Sequence, residues 1–393
     1  MSAIIVEFSR HYPKQTPETA FCPYRICPIG AHIDHQYGKI LGMAIDKGIT
    51  IAYSPSDRGV IELVSRNFDR KISFNISEPL ELSGDWADYL RGATLSLLRR
   101  HDISTGIHAV IEGSLPIGGL SSSAAVILVY LQALCMANDL KLSERELIDT
   151  ALWAEKDFVG VNVGKLDQSC EVFCRENQIL YLDTKDDSYE LIPTSPEMKP
   201  YEIAILFSGV ERTLVGSKYN MRVDELKSAG YALKAFSGME YGRFEENRLS
   251  EVPEEVYKKY AEKLPENWRK RAEHYYTEFA RVEAGAEAWR KGDIEAFGRL
   301  SFESCHSSIY NYETGSDELK AMYEIALRTD GIYGGRFSGA GFKGCFMALI
   351  DPEYRSFIEE KVRTEYLKVF PGLEGRYSTH FCKSADGVGA YKP

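Results

Sequence analysis

The sequence predicts a chain of two or three domains that mixes strands with helices, and three observations lead there. At 393 residues it is longer than one hydrophobic core usually serves. Its first half holds several short strand-like runs, whereas helical spacing dominates its second half. Gly106-Ile-His-Ala-Val-Ile-Glu112 alternates as a strand, and Ala124 to Ala137 is an apolar run of good helix formers, too long for one strand. A polar loop containing Pro193, Pro196 and Pro200 places the expected division between 1–200 and 201–393.

Taken in order, residues 22–38 concentrate Arg25, His32, Asp34 and His35 among Pro28, Gly30 and Gly38. Polar groups on such a turn-rich segment suggest a ligand loop between strands, and the same groups would also serve to cap a surface loop. Residues 40–53 continue as a strand, and 60–64 and 70–76 read as a strand pair. Trp86 to Arg100 has helical spacing, with Trp86, Leu90, Ala93, Leu97 and Leu98 on one broad apolar face. Ser143, with Glu146 three positions on, caps a helix expected to reach Asp157. Residues 179–183 and 202–208 read as strands, and 218–236 begin a helical region. The charged, proline-containing stretch 240–270 suits short helices and loops; 272–289, 294–304, 317–327 and 353–370 suit longer helices. Cys345 to Ile350 is an apolar strand behind a second glycine-rich turn at Gly339, Gly341 and Gly344.

The connection Gly113-Ser-Leu-Pro-Ile-Gly-Gly-Leu-Ser-Ser-Ser-Ala-Ala-Val126 is the richest in chemistry. Gly118 and Gly119 carry no Cβ, so backbone amides can close on an anion; Ser121, Ser122 and Ser123 add hydroxyls, and the helix that follows adds the positive end of its dipole. This reads as a phosphate cradle, beside the plainer reading of a turn with a serine N-cap. It is not a Walker loop, because Gly-Lys-Ser/Thr is absent. Glu155 and Asp167 are carboxylates on either side of a turn marked by Gly160 and Gly164. One metal-binding carboxylate and one base would suit phosphoryl transfer, and two solvated carboxylates at a helix end would look the same.

Composition narrows the classes. A formal charge of -11 disfavours nucleic-acid and anionic-membrane surfaces, while 44% apolar and 27% charged residues are ordinary for a soluble globular chain. No run of about 20 apolar residues and no basic-then-apolar leader occurs, so a cytoplasmic location is expected. Eight scattered cysteines without paired metal-ligand spacing are expected as reduced, mostly buried thiols. Gly118-Gly-Leu-Ser-Ser-Ser also lacks the dinucleotide fingerprint of an oxidoreductase.

Three motifs together resemble one family. Pro23-Tyr-Arg-Ile-Cys-Pro-Ile-Gly-Ala-His-Ile-Asp-His35 is similar to the galactokinase signature of the GHMP small-molecule kinases. Gly118-Gly-Leu-Ser-Ser-Ser-Ala-Ala125 resembles their phosphate-binding loop, and Ser338-Gly-Ala-Gly-Phe-Lys-Gly-Cys345 their third, glycine-rich motif. The resemblance implies a two-domain α+β GHMP kinase fold with the active site in the cleft, and phosphorylation of a sugar or small alcohol with ATP and Mg²⁺. Asp167 then matches the base facing the anomeric hydroxyl, and Arg25 the arginine beside it. Glu155 with Ser122 or Ser123 matches the Mg²⁺ ligands, and His32, Asp34 and Tyr219 match the sugar pocket. Gly118, Gly119, Leu120, Ser121, Ser122 and Ser123 match the ATP phosphate loop, with Gly339 and Gly341 opposite. A monomer acting on a small molecule is expected.

One position departs from the pattern. Galactokinases carry a glutamate before the signature histidine, where it accepts from the sugar's C6 hydroxyl; here the residue is Ala31. Glutamate would repel a C6 carboxylate and alanine tolerates one. The loop and the Lys165-Leu-Asp-Gln-Ser169 segment resemble galacturonate kinases more than ordinary galactokinases. His35, Lys165 and Arg212 are the cations or donors expected to meet such a carboxylate. Galactose, another hexose or another uronic acid remains the competing acceptor, and a sugar sensor without catalysis is the competing class.

Overall fold

The computed structural model describes residues 3–390 apart from 70, 162 and 211–215, and only the backbone of 216–218. Two sheets organise it. Helix α1 (Ala3–His11) precedes strand β1 (Glu18–Ile29), which pairs antiparallel with β2 (Lys39–Ser56). Strands β3 (Val60–Ser65), β4 (Ile72–Asn75) and β5 (Gly106–Gly113) extend this sheet, and helix α2 (Asp88–Leu98) lies between β4 and β5 in the chain. Helices α3 (Ser122–Ala137), α4 (Glu144–Trp153) and α5 (Leu166–Phe173) follow, then β6 (Gln178–Asp183) and β7 (Tyr189–Pro193). The chain then enters the second sheet with β8 (Glu202–Phe207) and runs through helices α6 (Gly216–Ser237), α7 (Glu254–Tyr260), α8 (Glu266–Arg290), α9 (Ile294–Tyr310) and α10 (Asp317–Leu327). It closes with β9 (Ile332–Phe337), β10 (Cys345–Ile350), α11 (Arg355–Val369), β11 (Ser378–Cys382) and β12 (Gly389–Ala390).

The first sheet has the order β12-β1-β2-β5-β3-β4, with β6 paired to β2 and β7 to β6; the second is β11-β8-β10-β9. All pairings in both sheets are antiparallel except β3 with β5. The C-terminal strand β12 therefore returns to the sheet that opened the chain, pairing Phe21 with Gly389. Helix α3 is apolar nearly all round, and Ala124, Ala125, Ile127, Leu128, Tyr130 and Leu134 are fully buried among β1, β2 and the neighbouring helices. A helix so covered takes its stability from packing, which anchors the glycine-serine loop at its start. All eight cysteines are buried. Among the described residues no helix is long and apolar enough to cross a membrane.

Several expectations change. Residues 22–29 are not a turn-rich loop: they are the end of β1, whose pairing with β2 shifts register between Pro23 and Tyr24 and again between Ile26 and Ile29. Proline has no N–H for the ladder and is tolerated at such bulges, which also re-aim the side chains between them, Arg25 included. The ligand loop itself is Gly30–Gly38, with a short 3₁₀ turn at Asp34–Gln36. The expected strand 70–76 is Ile72–Asn75, Arg70 lying outside the described residues. Ser143 caps α4 through Glu146 N–H as read, but the helix stops at Trp153 and a π-helical turn, Ala154–Phe158, carries Glu155. Asp167 sits in the first turn of a helix that spacing did not reveal, and α8 begins six residues before the expected start.

Candidate active site

One cavity of about 360 Å³ gathers most of the chemistry-bearing residues singled out in the sequence. Strand β1 brings Arg25, the Gly30–Gly38 loop brings Ala31, His32 and Asp34, and α5 brings Asp167. The loop before α3 brings Gly119, Ser121, Ser122 and Ser123, and the π-helical turn brings Glu155. Tyr219 from α6, and Gly339 and Gly341 from the turn between β9 and β10, complete the polar wall. Gly118, Leu120 and His35 do not line it: Leu120 is buried, with its carbonyl accepting the Arg25 N–H at 3.4 Å.

Arg25 ties the pieces together. It is 4% exposed, its Nε and Nη2 both reach Asp167 Oδ1 at 2.7 Å, and its Nη1 donates to Gly119 O at 3.1 Å and Ser338 Oγ at 3.2 Å. Burial works against its charge, and the Asp167 carboxylate beside it outweighs that penalty, holding the guanidinium protonated. The two glycine-rich turns meet backbone to backbone at this point. A Cβ on Gly119 would lie 2.8 Å from Ser338 O, one on Gly339 would lie 3.0 Å from the Gly119 Cα, and both residues have positive φ, 82° and 73°. Only glycine meets both demands without strain.

Asp34 faces the same centre. It is 7% exposed, and its Oδ2 accepts the Leu166 N–H at 3.4 Å. Burial, then the negative charge of Asp167, pushes its carboxyl up to about 6. Gly164 is obligatory beside it, because a Cβ there would lie 2.0 Å from Asp34 Oδ2. His32 stacks on Tyr312 at 4.5 Å and its Nε2 contacts Gly339 O at 3.1 Å, so that nitrogen carries the proton and donates. Its buried Nδ1 has no partner. Burial foremost, with nearby Arg336, holds its ring neutral. His35 turns away to Tyr312 Oη (3.3 Å) and meets Tyr219 edge-on at 6.1 Å. Burial, with Arg248 and Lys227, pulls its pKa down to about 3.

Glu155 is 3% exposed; its Oε1 accepts from Ser123 Oγ and its Oε2 from Gln168 Nε2, each at 2.7 Å. A carboxylate and a hydroxyl at one place are oxygen donors of the kind a hard divalent cation takes, leaving its other positions to phosphate and water. The plain serine-cap reading of the loop does not hold. Ser121, at the N-cap, has φ 61° and makes no capping bond, and its buried Oγ has no hydrogen-bond partner. A buried orphan hydroxyl beside a helix N-terminus is what an anion site leaves when protein atoms alone are counted.

Sequence reading missed the other end of the cavity. Trp86, assigned to an apolar helix face, lies just before α2 and lines the cavity with Phe68 and Tyr89, its ring stacked on Phe68 at 6.0 Å and 11°. Asn67, Ile49, Ile111 and Leu115 line it as well. Arg336, at the end of β9, lines the polar end and was given no role, although a lone arginine in an otherwise apolar and glycine-rich strand was the available signal. Of the cations expected to meet a carboxylate, Lys165 is outside the lining and paired with Asp187 at 2.6 Å, and Arg212 lies outside the described residues.

The chain is similar to known proteins along most of its length. Family models described as GHMP kinases N terminal domain and GHMP kinases C terminal match residues 88–175 and 286–368, and one described as the galactokinase galactose-binding signature matches residues 6–55. A galacturonokinase of Arabidopsis thaliana is 37% identical across 93% of this chain and 92% of its own. A galactokinase of Thermococcus kodakarensis is 35% identical across 89% of this chain and 94% of its own. The crystal structure of Lactococcus lactis galactokinase complexed with galactose superposes with a TM-score of 0.89 at 27% identity, covering 98% of each chain. A mevalonate kinase structure, 19% identical with a TM-score of 0.63 over 94% of this chain and 99% of that one, shares the fold. The three-motif resemblance and the two-domain α+β fold it implied therefore hold, and the chain belongs to the GHMP kinases, as a sugar kinase of their galactokinase-like branch.

Proposed function

We propose that this kinase transfers the γ-phosphoryl group of ATP to the C1 hydroxyl of galacturonate, giving galacturonate 1-phosphate and ADP. The observation that carries the acceptor is Ala31: a small neutral side chain, 7% exposed, lines the cavity where a glutamate would repel a second carboxylate. The likeness to the Arabidopsis thaliana galacturonokinase across most of both chains supports the same reading.

The C1 oxygen attacks the γ-phosphorus, the bond from that phosphorus to the β–γ bridging oxygen breaks, and ADP leaves with the electron pair. Asp167 orients the C1 hydroxyl and takes its proton. Arg25, held 2.7 Å from Asp167, keeps positive charge beside the transferring group, and its bond to Gly119 O keeps the phosphate loop in register with it. Asp34, His32 and Tyr219 hold sugar hydroxyls, the orphan Nδ1 of His32 being an open acceptor. The amides and hydroxyls of Gly118 to Ser123, with Gly339 and Gly341 opposite, take the ATP phosphates. Glu155 with Ser122 or Ser123 would hold Mg²⁺, which offsets phosphate charge when bound. Trp86 and Phe68 offer flat apolar faces for the base. The galactose-binding signature over residues 6–55 favours galactose as a second, weaker acceptor.

ATP-dependent phosphorylation of galacturonate beside galactose, with Asp167→Ala as control, tests this. Galacturonate is expected to have the higher kcat/KM, and the variant to lose about 1,000-fold in kcat. Preference for galactose would overturn the acceptor assignment and leave the kinase chemistry standing.

A further inference from the structure

With Ala31 in place, the cavity wall supplies no negative charge at the position preceding His32, and what lies behind that wall is positive. The Arg336 side chain is 1% exposed, and its Nη1 is 3.7 Å from Glu278 Oε1. That same oxygen accepts the N–H of Gly30, the residue before Ala31, at 2.6 Å, which places the guanidinium directly behind the loop. The next carbonyl, that of Ala31, accepts from His274 Nε2 at 3.1 Å.

Glu278 does not neutralise Arg336 alone. Its Oε2 is taken by Arg281 Nε at 2.8 Å, so two guanidiniums share one fully buried carboxylate. Despite burial, Arg281, His274 and Arg336 hold Glu278 at about 2, so it is ionised. The neighbouring imidazoles add no charge: burial foremost holds His32 neutral and pulls His274 down to about 4. The cluster therefore carries one net positive charge, shared between the wholly buried Arg336 and Arg281, whose side chain is 13% exposed, and an anion beside Arg336 would offset the cost of burying its charge. Arg336 also has unused capacity. Its Nε donates to Phe337 O, Nη1 to Ser304 Oγ with Glu278 beside it, and Nη2 to Ser308 Oγ, leaving Nη2 a second N–H beyond the one given to serine.

The geometry points to Arg336 as the cation that receives the C6 carboxylate of the acceptor, so that an acidic sugar completes a buried cluster short of one negative charge. This rests on the galacturonate reading above. It replaces His35 and Lys165, neither of which lines the cavity. Lys343 also lines it, but the adjoining Gly344 packs on Gly118, which puts that residue at the phosphate side.

The test measures kcat and KM for galacturonate and galactose in the full chain, its Arg336→Gln and Arg336→Lys variants, and checks folding by thermal melting. The galacturonate-to-galactose ratio of kcat/KM is expected to fall about 100-fold in Arg336→Gln, mainly through the KM for galacturonate. Arg336→Lys, which keeps the charge and loses the planar fork, is expected to fall about 10-fold. If Arg336→Gln does not fold, the lysine variant decides. A folded variant that loses both activities in equal proportion, or keeps the ratio, overturns the proposal and leaves Arg336 a structural ion. A wild-type protein that prefers galactose instead overturns the acceptor reading, and this proposal with it, before any variant is compared.

Discussion

The two ends of the cavity are built on different terms. The polar end is closed and assembled from far apart in the chain: Arg25, Asp34, Asp167, Tyr219 and Arg336 come from five separate segments, and Arg25 and Arg336 are almost wholly buried. The aromatic end is lined by Phe68, Trp86 and Tyr89 with Ile49, Ile111 and Leu115, and Phe68 there is 43% exposed. Chemistry on a hydroxyl needs charges held in fixed relation in a low dielectric, and burial among many elements supplies that. Receiving a flat base needs apolar faces, which one local stretch can present while still opening to solvent. On the galacturonate reading proposed above, this difference puts acceptor specificity in the charge count of the closed end.

That contrast can be broken from either side. The largest effect is expected at the closed end from Arg25→Ala, which leaves Asp167, Gly119 O and Ser338 Oγ without their shared donor. kcat should fall about 1,000-fold, more than KM changes, in a steady-state assay. Second is Asp34→Asn, read as stability. Asp34 titrates at about 6 in the fold against an ordinary 3.8, so the folded chain holds this proton more tightly than the unfolded one. Its contribution is complete below about pH 4 and is lost as pH rises through about 6, an effect of about 3 kcal/mol. Asp34→Asn should therefore melt higher than the parent at pH 8, with the gain vanishing near pH 4, while sugar binding is lost. An equal melting difference at both pH values would remove the buried-carboxylate account. The smallest effect belongs to the open end: Trp86→Ala should raise the KM for ATP about 10-fold, through lost stacking on the base, and change KM more than kcat.

Much of the closed end was legible because its residues are chemically unusual where they stand. Arg25, Asp34 and Asp167 are charged groups among glycines, prolines and apolar neighbours, and all three line the cavity. The glycine-serine loop was legible for a related reason, since Gly118-Gly119-Leu120 followed by three serines has few structural uses before an apolar helix. Trp86 was not, because an aromatic at helical spacing looks the same whether it faces a core or a cavity. Position 35 was placed in the pocket by its nearness to His32 and Asp34, and the 3₁₀ turn at Asp34–Gln36 instead directs it to Tyr312. The stretch 22–29 was taken for a loop because two prolines argue against a strand, and bulges at both sites make room for them.

By itself, the sequence determined the alternation of strands and helices, the two glycine-rich turns, most of the polar residues that meet in the cavity and the neutral side chain of Ala31. Each follows from local properties: side-chain period, the freedom of glycine and the oddness of a charge among apolar neighbours. Only the tertiary structure decided that the two turns touch at Gly119 and Gly339, that Arg25 spans them, and that Arg336 and Arg281 share Glu278 behind Ala31. These are contacts between residues as far as 313 positions apart, as between Arg25 and Ser338. Spacing along the chain carries no record of them, because burial and net charge are properties of the surroundings rather than of the residue.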